Sequence, residues 1–192
     1  MKLNLALLVS ALILLTTGCS TIEVDRYRTT ADNQQYIKQL NLKMSVDTFT
    51  ATKPKSSVMC RMANKVGMPD GETFEKYIEN AITEELKMAG LYSKDANVVL
   101  SGHLIKTGIS SGMTDAHWTF NLKVSNNQGE SFIVSHTREY DASFLGGIAC
   151  ANDMPRSFMP SVQELVGAIV HHSEFASLFD AGNSGNIASG SL

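Results

Sequence analysis

The chain has 192 residues with a formal net charge of −3 at pH 7, and its 43% of hydrophobic residues is enough for a buried core. A chain of this length accommodates one folded domain with tails. The small acidic excess supplies no cationic surface for nucleic acid, so we expect no nucleic-acid partner.

Residues 1–18 have the features of a secretory signal peptide. Lys2 precedes an apolar run from Leu5 to Leu15, which is too short to span a bilayer as a helix. Small residues then lead to Cys19, and this ending resembles the lipobox of bacterial lipoproteins. The resemblance implies that the signal is removed and that lipid on Cys19 anchors the mature chain to a membrane. An uncleaved signal, or a conventionally cleaved one, is the alternative.

Ser20 bears on the destination of the lipoprotein. An aspartate after the lipidated cysteine would resemble the inner-membrane retention signal of Gram-negative lipoproteins, and this chain has a serine there. We therefore expect an outer-membrane anchor facing the periplasm, with the inner membrane as the alternative. Residues 19–39 are polar and of mixed charge, which indicates a lipidated cysteine followed by a flexible tether.

Hydrophobic periodicity predicts a single periplasmic domain over residues 40–179. An alternating pattern predicts a strand from Leu40 toward Thr50. Apolar residues at helical spacing follow from Thr73 to Ala89, and Gly90 suits the left-handed position that ends a helix, with Leu91 folding back on it. Residues 180–192 are rich in Gly, Ser and Asn, which predicts a disordered tail.

The second half of the domain is predicted to contain three strands and a helix. The strands cover residues 97–107, 117–125 and 131–140, and a turn at Asn126 to Gly129 makes the last two a hairpin. Apolar spacing predicts a helix over 159–170. Pro160 fits its first turn, although a kinked helix from near Asp153 is an alternative. The order β-α-β-β-β-α predicts an α+β fold with helices on one face of a mainly antiparallel sheet.

Cys60 and Cys150 are the two cysteines that remain once Cys19 carries lipid. Export places them in an oxidising compartment, where free thiols tend to pair. We therefore expect a disulfide between them, with two separate buried thiols as the alternative.

Several segments carry a family resemblance: Cys60-Arg61, Pro69 to Ile78, Glu85 to Tyr92, Leu100 to Leu104 and Phe158 to Leu165. Over about residues 58–179 they resemble a group of uncharacterised envelope lipoproteins of the Gram-negative type. The resemblance implies a fold more than an activity, and it contributes no catalytic residues.

Residues 108–112 match the hydrolase motif G-x-S-x-G, with Ser110 in the nucleophile position. That motif requires a helix immediately after the serine, which holds the nucleophile on a sharp turn. Here a predicted strand beginning near His117 comes next. We therefore interpret the match as a Gly/Ser hairpin loop, and we expect no catalytic residue.

Histidines raise the question of a metal site. His171 and Glu174 share a helix face with each other but not with His172, so at most a two-ligand surface site results. The remaining histidines lie on different predicted strands: His103, His117 and His136. Three aspartates lie near predicted turns, where they stabilise the local backbone: Asp95, Asp115 and Asp141. We expect neither a metal nor a cofactor.

Methionines flank the two paired cysteines: Met59, Met62, Met68, Met154 and Met159. Methionine commonly fills cores, but it also lines adaptable apolar grooves. The first hypothesis is a non-enzymatic interaction or scaffold module of the cell envelope, anchored through Cys19 and binding an envelope protein. A carrier or sensor of a small apolar ligand is the alternative, and an envelope hydrolase using Ser110 is the second alternative.

Overall fold

The computed structural model describes residues 21–180. The predicted signal peptide, the lipidation site Cys19 and residues 181–192 of the predicted tail lie outside the described residues. Across residues 21–180, none of the helices combines the length and the apolar character that a membrane span requires.

The strands of the described chain form two sheets. In chain order they are β1 (Ile22–Glu23), β2 (Met44–Val46), β3 (Thr50–Ala51), β4 (Ser57–Cys60), β5 (Asn64–Gly67), β6 (Val98–Ser110), β7 (His117–Asn126) and β8 (Ser131–Glu139). The main sheet has the order β2-β6-β7-β8, with β3 also paired to β6. Strands β6, β7 and β8 form an antiparallel meander, whereas β2 and β3 run parallel to β6.

The longer helices are α1 (Ala31–Gln39), α2 (Phe74–Met88) and α3 (Met154–Val170), and a last turn forms α4 (Ser177–Asp180). Helices α2 and α3 pack on one face of the main sheet, where alternate residues of β7 are buried. Phe158 of α3 lies at the centre of this core, with its ring centroid 4.9 Å from that of Trp118 and 5.1 Å from that of Tyr77. The α+β fold with the predicted order of its main elements is therefore confirmed.

Helix α2 ends as its sequence predicts. Gly90 has φ = 74°, a left-handed conformation that costs glycine little. The Leu91 amide donates to Leu86 O over 2.8 Å and the Gly90 amide donates to Lys87 O over 2.9 Å. This pair of hydrogen bonds is a Schellman motif, which satisfies carbonyls that would otherwise be left at the helix end.

Helix α3 takes the longer of its two predicted forms. It begins at Met154, continues a π-helical turn over Ala149–Asp153, and contains Pro160 in its interior. The indole nitrogen of Trp118 donates to Ser157 Oγ over 3.0 Å, which fixes the first half of the helix against β7.

The predicted first strand is shorter than expected. The chain leaves the sheet between β2 and β3, where the Phe49 amide donates to Glu79 Oε2.

The expected tether over residues 19–39 is wrong for residues 21–39, which are part of the fold. β1 pairs with β5, and α1 packs against α2 and α3. Ile37 of α1 is buried, and Glu85 of α2 accepts hydrogen bonds from the Tyr27 hydroxyl and the Asn33 side-chain amide. The polar residues of this segment dock through buried hydrogen bonds, which apolar periodicity does not reveal.

Candidate functional site

Exposed apolar side chains gather at one end of the molecule. Six of the nine large apolar side chains that are exposed in the described chain come from three neighbouring segments, and we name them the apolar end: Met59, Met62, Met113, Phe144, Leu145 and Ile148. Grouping of exposed apolar side chains is unusual on a monomer and marks a contact surface. The described chain therefore offers a candidate binding surface here.

Arg61 holds the three segments of the apolar end together. Its backbone amide donates to Ser111 Oγ over 3.0 Å, and its Nε donates to Ser111 O over 2.9 Å. The two terminal guanidinium nitrogens donate to Phe144 O over 3.0 Å and to Ser143 O over 2.7 Å. Planar guanidinium groups are well suited to such multiple contacts, so Arg61 orients the loops that carry Met113 and Phe144.

A disulfide bond adds to the restraint that the hydrogen bonds of Arg61 provide. Cys60 and Cys150 form a disulfide with their Cα atoms 5.6 Å apart, which confirms the predicted pairing. The Ser143 amide also donates to Asp153 Oδ2 over 2.8 Å. The bridge joins the last residue of β4 to the π-helical turn before α3, so it restrains the backbone on both sides of the apolar end.

Tyr140, the residue directly after β8, contacts the last residue of β6. Its hydroxyl donates to Ser110 O over 3.2 Å. Burial raises the pKa of Tyr140 to about 12, so the phenol keeps its proton and remains a donor well into the alkaline range.

The turn between β4 and β5 has an unfavourable backbone. Arg61 and Met62 have φ values of 44° and 55°, a left-handed conformation that costs a non-glycine residue about 1–2 kcal/mol. Met62 is 92% exposed, so its side chain adds no core contact that would offset this cost. The Ala63 amide donates to Cys60 O over 2.9 Å, so Arg61 and Met62 are the central residues of a tight hairpin turn, in which positive φ at both positions matches the twist of the strands.

Ser110 lies beside this end but lacks the geometry of an activated nucleophile. Its hydroxyl donates to Asp115 Oδ2 over 2.9 Å and accepts from the Gly112 amide. His117 is paired with Ser110 across β6 and β7, but its Nδ1 bonds to Asp115 O. In the Ser-His-Asp arrangement an imidazole takes the serine proton, and here the Ser110 hydroxyl donates to a carboxylate instead. A Cβ at Gly112 would also collide with Asp115 Oδ1, so the loop packing accounts for the second glycine of the motif.

The other two strand histidines lie elsewhere. His103 bonds to Thr50 Oγ1 and Thr52 Oγ1, over 2.8 and 2.9 Å. His136 contacts Glu164 of α3 over 3.1 Å. Burial lowers the pKa of His136 and nearby Arg138 lowers it further, so at neutral pH this contact is a hydrogen bond from a neutral imidazole. The three strand histidines therefore do not converge.

The C-terminal histidines are packing residues. The His171 ring lies against Tyr36, with centroids 3.9 Å apart, and the His172 ring stacks on Phe132 at 4.3 Å. The amide of Glu174 donates to His172 Nδ1. Across residues 21–180 no group of three or more His, Cys, Asp or Glu side chains is placed to hold a metal ion. The three aspartates are in turns or loops, as predicted: Asp95, Asp115 and Asp141.

The methionines that flank the cysteines are divided between core and surface. Met68 and Met154 are buried, whereas Met59 and Met62 are exposed at the apolar end. The exposed residues that sequence periodicity did not single out are Met113, Phe144, Leu145 and Ile148. In the sequence, Phe144, Leu145 and Ile148 form a short apolar stretch around Gly146-Gly147 that belongs to no periodic element, and this stretch was the signal that could have indicated them.

The void lined by the apolar core measures about 10 Å³. It lies between α2, α3 and the main sheet, among Ile82, Leu100 and Val166. This volume is at the lower limit for a single water, whereas pockets for organic ligands measure hundreds of Å³. The larger clefts, including one of about 430 Å³ beside Lys53, Lys55 and Lys106, are open to solvent.

No family model matches the sequence, and no curated protein matches it. Among solved structures, the chain is similar to a crystal structure of a Xanthomonas campestris protein described under the family model DUF330. The two chains are 13% identical, with a TM-score of 0.46, over 73% of this chain and 88% of the other. At this degree of similarity, the function is inferred from the geometry of the chain itself.

Proposed function

We propose that the protein is a non-enzymatic interaction module of the bacterial cell envelope, anchored at the periplasmic side of the outer membrane through lipid on Cys19. In this proposal the apolar end is the surface that binds another envelope component. The lipid anchor rests on the sequence of residues 1–19.

The proposal rests on an exposed apolar surface whose backbone is held in place by the disulfide and by the hydrogen bonds of Arg61. Phe144 is 78% exposed, and Met62 is 92% exposed on a backbone that would favour glycine or asparagine. Water-exposed apolar area contributes little to folding, but it contributes free energy when a partner covers it. The disulfide and the Arg61 contacts keep this surface in one arrangement, which lowers the entropy that binding would cost.

Two other functions have less support. A carrier needs an enclosed apolar chamber, and the void inside the core is about 10 Å³. A serine hydrolase of the Ser-His type needs an imidazole at the Ser110 hydroxyl, and this hydroxyl donates to the Asp115 carboxylate instead. The interaction module therefore remains the proposal.

A photo-crosslinking side chain in place of Met62 tests the proposed surface in intact cells. We expect illumination to give a discrete adduct with an envelope component, because the apolar end is covered in the bound state. Phe144→Ser in the same chain should reduce that adduct, since it removes part of the same surface.

Met88 provides the matched control, because it is also an exposed methionine, at 63%, but lies at the end of α2. The same probe at Met88 should give little adduct. Equal labelling from both positions, or an adduct from Met62 that is unchanged by Phe144→Ser, would mean that the apolar end is not the binding surface.

A further inference from the structure

The first described residues enter the fold next to the apolar end. β1 runs parallel to β5, with Ile22 opposite Val66 and Glu23 opposite Gly67. Because the strands are parallel, the chain approaches β1 from the side on which β5 begins, which is the side of the Arg61–Met62 turn. Thr21, the residue before β1, is exposed.

The distance from β1 to the proposed lipid anchor is short. Cys19 lies two residues before Thr21, and two residues span at most about 7 Å even when fully extended. A strand of β5's length covers about 13 Å, so the anchored residue cannot lie far from the turn that follows β4. The fold therefore cannot move away from the bilayer on a long tether, and this side of the molecule must face the lipid.

We infer that the surface covering the apolar end is the lipid bilayer itself, into whose headgroup and upper acyl region this end inserts beside lipidated Cys19. This inference rests on the proposed function, because it requires the anchor. The exposed residues of the apolar end are methionine, phenylalanine, leucine and isoleucine, and such side chains readily enter the headgroup and upper acyl region of a bilayer.

The backbone at this end is suited to an apolar medium. Peptide carbonyls that enter lipid must be hydrogen-bonded, because no water is available to them there. Arg61 donates to the carbonyls of Ser111, Ser143 and Phe144. The exposed carboxylates of Asp115 and Asp141 flank the surface, so insertion stops where these charges meet the headgroups.

Fluorescence quenching by brominated acyl chains tests the inference on the full-length acylated protein in phosphatidylcholine vesicles. Phe144→Trp places a fluorophore at the apolar end, and Ile133→Trp places one on β8 at a position that is also exposed. Ile133 is six residues along β8 from Glu139, or about 20 Å, and Glu139 pairs with His117 near the apolar end. Both variants carry the same anchor and the same buried Trp118.

Bromination should lower the emission of the Phe144→Trp protein by about half and leave the Ile133→Trp protein within about a tenth of wild type, because only the former lies among acyl chains. If both variants float with the vesicles but are quenched equally little, the inference is overturned while the anchored module stands. If neither variant floats with vesicles, the anchor is absent and both proposals fall. A crosslink from Met62 to a protein, without quenching at position 144, would assign the surface to a protein partner instead.

Discussion

Replacing both cysteines of the bridge, in the variant Cys60→Ala/Cys150→Ala, should lower the free energy of unfolding by about 4 kcal/mol. The bridge closes a loop with a sequence separation of 90 residues, and cross-linking so long a loop removes much of the entropy of the unfolded chain. Urea unfolding followed by the fluorescence of buried Trp118 measures the change.

Reductant provides the control for this experiment. It should shift the midpoint of the wild-type protein toward that of the variant and leave the variant unchanged, because only the wild type has a bridge to lose. The variant should also exchange the amides around residues 143–148 faster, since these residues adjoin Cys150. A loss of less than about 1 kcal/mol would contradict the bracing role that we assign to the disulfide.

Glu85→Ala should cost about 3–4 kcal/mol and release α1 from the rest of the fold. Glu85 is fully buried and accepts the Tyr27 hydroxyl over 2.8 Å, the Thr30 amide over 3.1 Å and the Asn33 side-chain amide over 3.2 Å. The side chain of Gln34 also donates to it. Removing the carboxylate leaves these donors without their acceptor inside the protein, which is the costly way to break a hydrogen bond.

Tyr27 reports on this network. Burial raises the pKa of Tyr27, and the nearby Glu85 raises it further, so the phenol stays a proton donor over the physiological range. Hydrogen exchange in residues 31–39 should accelerate in Glu85→Ala before the core strands are affected. Glu84→Ala is the matched control, because Glu84 is a half-exposed neighbour whose partner is Lys87, and it should cost less than about 0.5 kcal/mol. Equal effects at the two positions would contradict the docking role of Glu85.

The sequence predicts well those elements whose local preference for helix or strand agrees with the way they are buried in the fold. Helix α2 has a continuous apolar face and a glycine at its end, and β7 alternates between buried and polar residues. These patterns arise from burial against a single neighbour, which a periodicity of two or 3.6 residues reports directly. The pairing of Cys60 with Cys150 followed from the small number of cysteines.

The N-terminal segment and the small sheet were beyond sequence reasoning for a physical reason. Helix α1 is held by polar contacts to Glu85 as well as by Ile37, so its sequence resembles that of a tether. Strands β1, β4 and β5 have two to four residues each, too few to show a period. Tertiary contacts determine such elements more than local preference does.

The apolar end illustrates the same limit for function. Its residues come from positions 59–62, 113 and 144–148, which are far apart in the chain. A sequence pattern shows that Phe144 and Leu145 are apolar, but only the three-dimensional arrangement shows that they are exposed beside Met62. Of the methionines that flank the cysteines in the sequence, Met59 and Met62 belong to this surface, while Met68 and Met154 fill the core.

Acylation of one cysteine is the premise on which both the function and the orientation at the membrane depend. Cells grown with radiolabelled palmitate and expressing either the wild-type chain or Cys19→Ser test this premise directly. We expect the wild-type protein to be labelled and the Cys19→Ser protein to remain unlabelled. An unlabelled wild type, or equal labelling of the two chains, would contradict it.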